Sequence, residues 1–117
     1  MEYFVPLQKS TEMDDVFFSK LKELATKVIP EGGHAYLYGS RARGDARSDS
    51  EWDMLILLDK ETTNMSSDFD EYCFPFIELG WNYGYSVSPL TYSYKEWEIR
   101  HITPFYKNVE NDKILIL

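Results

Sequence analysis

The residues able to do chemistry lie close together: Tyr38-Gly39-Ser40-Arg41-Ala42-Arg43-Gly44, then Ser48-Asp49-Ser50-Glu51-Trp52-Asp53, then the apolar run Met54 to Leu58. The stretch Ala35 to Tyr38 leads into Gly39, which can take backbone angles closed to other residues and lets a strand turn sharply into a short helical turn at Ser40. A helix start presents free N–H groups to an anion. Ser40 adds a hydroxyl donor, and Arg41, Arg43 and Arg47 bring planar guanidinium groups that match phosphate oxygens in pairs. The chain has four arginines, and three of them lie in this run.

On the strand that follows, side chains alternate faces, so Glu51 and Asp53 project to the same side with their Cα atoms roughly 7 Å apart. Trp52, between them, faces the other side and packs there. Two carboxylates on one face can share a metal. Magnesium takes hard oxygen ligands at about 2.1 Å, uses one or two carboxylates, and completes its shell with water and substrate phosphates. An anion-holding turn beside an acid pair therefore outlines a metal-nucleotide site, in which the cation polarises the transferred phosphoryl group. The competing reading is plainer: an acid pair at a strand entrance, with Arg41, Arg43 and Arg47 paired to Asp45, Asp49 and Glu51 on a solvated loop.

At these residues the chain resembles the nucleotidyltransferase superfamily, in particular its minimal bacterial members, the MNT-type domains often paired with HEPN proteins. Their signature is Gly-Ser, a spacer, then Asp-x-Asp. Here Gly39-Ser40 is followed by ten residues, Arg41 to Ser50, and then Glu51-Trp52-Asp53. The resemblance implies an α/β (α+β) fold with a palm-like mixed sheet and helices packed on one face, and one minimal domain over residues 1–117. It also implies Mg²⁺-dependent transfer of a nucleoside monophosphate, AMP from ATP before other nucleoside triphosphates, to a hydroxyl acceptor. Glu51 and Asp53 would be catalytic and hold metal, one ion or two, while Gly39, Ser40, Arg41 and Arg43 would bind the nucleotide. A HEPN-type protein would be partner and acceptor, the pair acting as toxin and antitoxin.

Two departures from the signature stand out. Glu51 replaces the first Asp, and its extra methylene moves the carboxylate relative to a metal that tolerates little distortion. The family's third carboxylate, on a later strand, has no counterpart in Tyr85-Ser86-Val87-Ser88-Pro89-Leu90-Thr91-Tyr92; Ser88 or Leu90 takes its place, depending on register. That absence bears on catalysis more than on nucleotide binding. The alternative function is a weakened or inactive module that binds a nucleotide or a partner in an antitoxin-like role.

Composition bounds the rest. A chain of 117 residues, 44% apolar and 27% charged, fits one globular domain. Nothing approaches the roughly 18 consecutive apolar residues of a membrane span, and Met1 to Ser10 lacks the basic start and apolar run of a leader, so a cytoplasmic setting is expected. With 12 basic and 20 acidic residues, the net charge of −8 repels long nucleic acid outside the arginine cluster. The composition leaves a homo-oligomer open. The lone Cys73, beside Phe74, Phe76 and Ile77, reads as a buried thiol, and His34 and His101 as structural groups.

The elements that must position these groups follow from periodicity. Thr11 with Asp14 opens a helix whose apolar residues Met13, Val16, Phe17, Leu21, Leu24 and Val28 recur at three- and four-residue steps, ending before Pro30. Strands are expected over 34–38, 52–58 and 85–92, with a polar loop at 59–67 and a turn at 80–84. Between them a helix spans 68–79, kinked at Pro75 or starting near Cys73. Ser93 with Glu96 forms a capping box for a helix through about His101, Thr103-Pro104 starts a short turn, and Lys113 to Leu117 is a strand or a docking segment.

Overall fold

The computed structural model describes residues 11–117. Residues 1–10, over which the sequence was read for a leader, lie outside them. Four strands form one mixed sheet in the order β3-β2-β1-β4, with β1 at His34–Tyr38, β2 at Trp52–Leu58, β3 at Val87–Ser93 and β4 at Ile114–Leu115. β1 runs antiparallel to β2 and β4, and β3 runs parallel to β2. None of the described helices is long and apolar enough to cross a membrane.

Helix α1, Glu12–Val28, starts as its sequence dictates: the Thr11 hydroxyl accepts from the Asp14 amide, and the Asp14 carboxylate accepts from the Thr11 amide. Its apolar stripe buries Phe17, Leu21 and Ala25 against Leu37, Trp52, Met54 and Ile56 of the sheet. On the same face lies α3, Phe74–Tyr83, with Phe76 wholly buried. The covering of one face expected from the sequence holds for these two helices. A second, smaller cluster joins Leu55 and Leu57 on the opposite face to Trp97 of α4, Tyr94–Ile99, and Val109 of α5, Pro104–Asp112. β2, flanked on both edges and covered on both faces, is accordingly almost all apolar.

Three boundaries move for identifiable reasons. Pro75 has no N–H to give to the carbonyl four residues back, and the chain enters α3 through a wider π-helical turn at Phe69–Cys73, in which the Phe74 amide reaches the Phe69 carbonyl. α3 then continues through 80–83, where the sequence pointed to a turn. The stop falls at Gly84 in the left-handed region at φ 77°, while Gly80 is a packing position: a Cβ there would stand 2.7 Å from Val87 Cγ2 and 2.8 Å from the Tyr85 carbonyl. The short turn expected at Thr103-Pro104 is a nine-residue helix, α5, capped by the Thr103 hydroxyl.

Cys73 is buried, and burial followed by the charge of Asp68 pushes its thiol up to about 12. His34 and His101 each place Nδ1 by a backbone carbonyl, that of Leu117 and that of Glu98, as structural groups do.

The capping box of α4 also ties the 59–67 loop to the sheet. Glu96 accepts from the Ser93 amide, the Thr63 amide and the Thr63 hydroxyl. Burial acts to raise its pKa, but these hydrogen bonds outweigh it and hold the carboxyl below its ordinary value. A lowered carboxylate adds stability above the unfolded value near 4.5 and loses it as pH falls through the folded value. Glu96→Gln keeps an acceptor oxygen but loses its charge and should therefore cost about 1 kcal/mol at pH 7, the difference between charged and neutral hydrogen bonds, and urea unfolding repeated at falling pH should show that deficit closing below the unfolded value near 4.5.

Candidate functional site

The register of β1 on β2 builds the site. Tyr38 pairs with Asp53 across the two strands, so the chain leaving β1 must turn directly over the Asp53 side chain. Gly39 makes that turn at φ 74° and ψ −156°, a conformation open to glycine almost alone. A Cβ at Gly39 would lie 2.6 Å from Asp53 Oδ2. Ser40 begins α2, Ser40–Arg43, one residue past this contact, and Gly44 closes it in the left-handed region at φ 84°.

Glu51 is exposed at the entrance to β2, and Asp53 is half-buried. Burial first, and the negative charge of Glu51 second, raise the pKa of Asp53, with Arg43 opposing them. Among the described residues no hydrogen bond contributes to holding its charge. Tyr38 feels the same field: burial, then Asp53, Tyr92 and Glu51, push its phenol up to about 12. A half-buried carboxylate without a hydrogen-bond donor, next to a second carboxylate, is a donor set that fits a hard divalent cation. Among the described residues no group of three or more His, Cys, Asp or Glu side chains is placed to hold a metal ion. The structure thus offers two carboxylates and no third.

On the other flank of β2, the parallel register sets Ser88 beside Asp53, while Leu90 pairs with Leu55 deeper in the sheet. The position open between Ser88 and Leu90 in the sequence is Ser88. A groove of about 490 Å³, lined among others by Thr63, Met65, Phe69, Leu90, Tyr92 and Arg100, follows β3 without reaching Glu51 or Asp53.

The arginines part company. Arg43 stays on the acid side, where its Nη1 donates to Asp112 of α5 at 2.7 Å and its Nε to Asp45 at 3.1 Å. Arg41, expected from the sequence to hold phosphate, is turned to the opposite face with its side chain 5% exposed, over the ring of Trp52 and paired with Asp14. Arg47 is exposed, and its amide donates to Ser50 Oγ. Trp52 packs as expected, 3% exposed, edge-on to Phe17 and Tyr85. Tyr38 was missed as a neighbour of Asp53, although an antiparallel pairing that brings Gly39 over the acids would have implied it. Asp112, from the far end of the chain, left no local signal.

The family model described as polymerase beta, nucleotidyltransferase, matches residues 19–79, more than half of the chain. The chain belongs to this nucleotidyltransferase family. Its fold is that of the minimal members: a protein described as a minimal nucleotidyltransferase superposes with a TM-score of 0.54 at 20% identity, over 97% of this chain and 98% of that one. A toxin-antitoxin crystallised with AMP-PNP superposes with a TM-score of 0.58 at 17% identity, over 86% of this chain and 72% of the other. No curated protein matches the sequence closely enough to count as a relative.

The clearance at Gly39 generates a test. Gly39→Ala must both leave its allowed backbone region and push Asp53 aside, so it should destabilise the fold by about 1–3 kcal/mol, read as a lower midpoint in urea. Gly44→Ala, with open space around the added carbon at a similar φ, should pay the backbone cost alone and unfold less readily than Gly39→Ala.

Proposed function

We propose that the chain binds a nucleoside triphosphate with Mg²⁺ at the rim formed by Gly39, Ser40, Glu51 and Asp53, and transfers its nucleoside monophosphate, AMP from ATP, to a hydroxyl acceptor. The observation that carries this reading is the contact of the Gly39-Ser40 turn with the half-buried Asp53, whose charge is raised in energy by burial and by Glu51. Asp53 and Glu51 would hold the cation, one ion or two. Bound there, it would polarise the transferred phosphoryl group and offset the charge that develops on it. Ser40 and the first amides of α2 would take phosphate oxygens, and Arg43 would supply positive charge from the same side. Arg41 has no part in ligand contact on this reading. The whole chain, 1–117, would act as one minimal domain in the cytoplasm, and the toxin-antitoxin fold neighbour crystallised with AMP-PNP supports an adenine nucleotide and a protein partner; a HEPN-type protein would be that partner and the acceptor.

A second reading is favoured by one specific observation. Ser88 stands beside Asp53 where the family carries its third acid. In that position a carboxylate would take the acceptor's proton and orient its hydroxyl, and a serine hydroxyl, which can accept a hydrogen bond, does not take up the proton as a base. The second reading is a module that holds nucleotide or partner without transfer.

Calorimetry with ATP and Mg²⁺, alongside an AMP-transfer assay on candidate acceptors, separates the two. The transferase reading expects transfer that Asp53→Asn lowers by at least about 10²-fold, the size of a lost general base or metal ligand. Tight Mg²⁺-dependent binding without transfer would favour the module. Binding unchanged by Asp53→Asn and by removal of Mg²⁺ would overturn both.

A further inference from the structure

Arg41 makes more contacts than an arginine kept for charge alone requires. Its Nε donates to the Ser50 carbonyl at 3.3 Å, and its Nη2 donates to the same carbonyl at 3.0 Å and to that of Ser48 at 3.2 Å. Its Nη1 stands 3.5 Å from Asp14 Oδ1, and the guanidinium carbon lies 4.7 Å from the centre of the Trp52 ring and 5.5 Å from that of Tyr85. Asp14 is itself fixed, accepting from the Tyr85 hydroxyl and the Thr11 amide. The guanidinium therefore grips the backbone just before Glu51 and the side chain just after it, and anchors both to the first turn of α1.

We infer that Arg41 is a positioning residue: from the face of the sheet away from the acids, it fixes the 48–52 segment so that the Glu51 carboxylate stands beside Asp53, where the two would share a cation. This rests on the nucleotide and metal reading above and adds to it the group that sets the cation's geometry without touching it. The physical reason is the exposure of Glu51. Its side chain has no packing of its own to hold it, and it is one methylene longer than the aspartate of the family signature, so its backbone must be held the more firmly. A planar fork gripping two carbonyls does this, and a lysine, donating from one point, does not. Trp52 and Tyr85, edge-on to each other, flank the fork in a nearly dry setting, where its hydrogen bonds are worth more than at a surface.

The signature of such a role lies in cation preference. Mg²⁺ requires a near-ideal octahedron, whereas Ca²⁺ accepts flexible geometry at longer distances. The test is calorimetric titration of ATP in Mg²⁺ and, separately, in Ca²⁺, on the full chain as wild type, Arg41→Lys and Asp14→Asn, with melting temperatures taken in parallel. Arg41→Lys should weaken Mg²⁺-dependent ATP binding by about 10-fold or more, as loss of an outer support does, while Ca²⁺-dependent binding falls much less. Asp14→Asn, which leaves the carbonyl contacts in place, should move the Mg²⁺-to-Ca²⁺ ratio the same way by a smaller factor. If Arg41→Lys does not fold, the Asp14→Asn ratio decides alone.

Equal losses in the two cations, or none, would overturn the positioning role while leaving the site reading intact, provided wild type binds Mg²⁺ and ATP and Asp53→Asn does not. Wild type that binds neither would overturn the site reading, and this inference with it.

Discussion

The pairing of Tyr38 with Asp53 is the constraint from which the site follows. Once β1 ends opposite that carboxylate, the next residue must cross over it so closely that a side-chain carbon would stand 2.6 Å from Asp53 Oδ2, and glycine alone fits. The start of α2 is then fixed above Asp53. Arg41 and Arg43, two residues apart in a helical turn, point in directions about 200° apart. One arginine is sent through to the buried face and the other is left on the acid side. A single register thus divides the basic run of the motif into a structural half and a half facing the acids.

This explains which parts of the molecule were legible in its sequence. α1, β1 and β2 are set by local signals: the Thr11–Asp14 box, the three- and four-residue spacing, and the apolar run after Asp53. Glu51 and Asp53 were legible because alternation along a strand is a rule of two residues. Arg41 was not, because its partners Asp14, Trp52 and Tyr85 come from three separate elements, and nothing in Arg-Ala-Arg tells one guanidinium from the other. The same holds for α5. Its apolar residues Phe105, Tyr106 and Val109 span little more than one turn, too few repeats for the period to show in sequence, and they pack on Trp97 and its neighbours once the Thr103 cap has started the helix. The far face of the sheet was left uncovered in the sequence reading for that reason.

The surroundings of Asp53 are also more neutral than the family signature implies. On one side is Tyr38, whose phenol is held protonated well past neutral pH, and on the other is Ser88. Glu51 is the one other carboxylate whose charge raises Asp53. Replacing a third acid by serine removes a proton acceptor, but it also removes a repulsion that a metal-free protein would have to bear. The cost of charging Asp53 is accordingly set by its burial more than by its neighbours.

Charge at the site then decides what can approach it. Arg41 is withdrawn beneath the sheet, and Arg43 already gives its Nε to Asp45 and its Nη1 to Asp112, which offsets part of its charge toward an incoming anion. The molecule as a whole carries −8, and its field repels a polyanion that comes within a screening length of about 8 Å. On the proposed reading, Arg43 supplies part of the positive charge that holds a triphosphate and the divalent cation supplies the rest. Nucleotide would then be accepted with its metal and refused without it, and the geometry of two carboxylates, more than the number of arginines in the motif, would set the affinity.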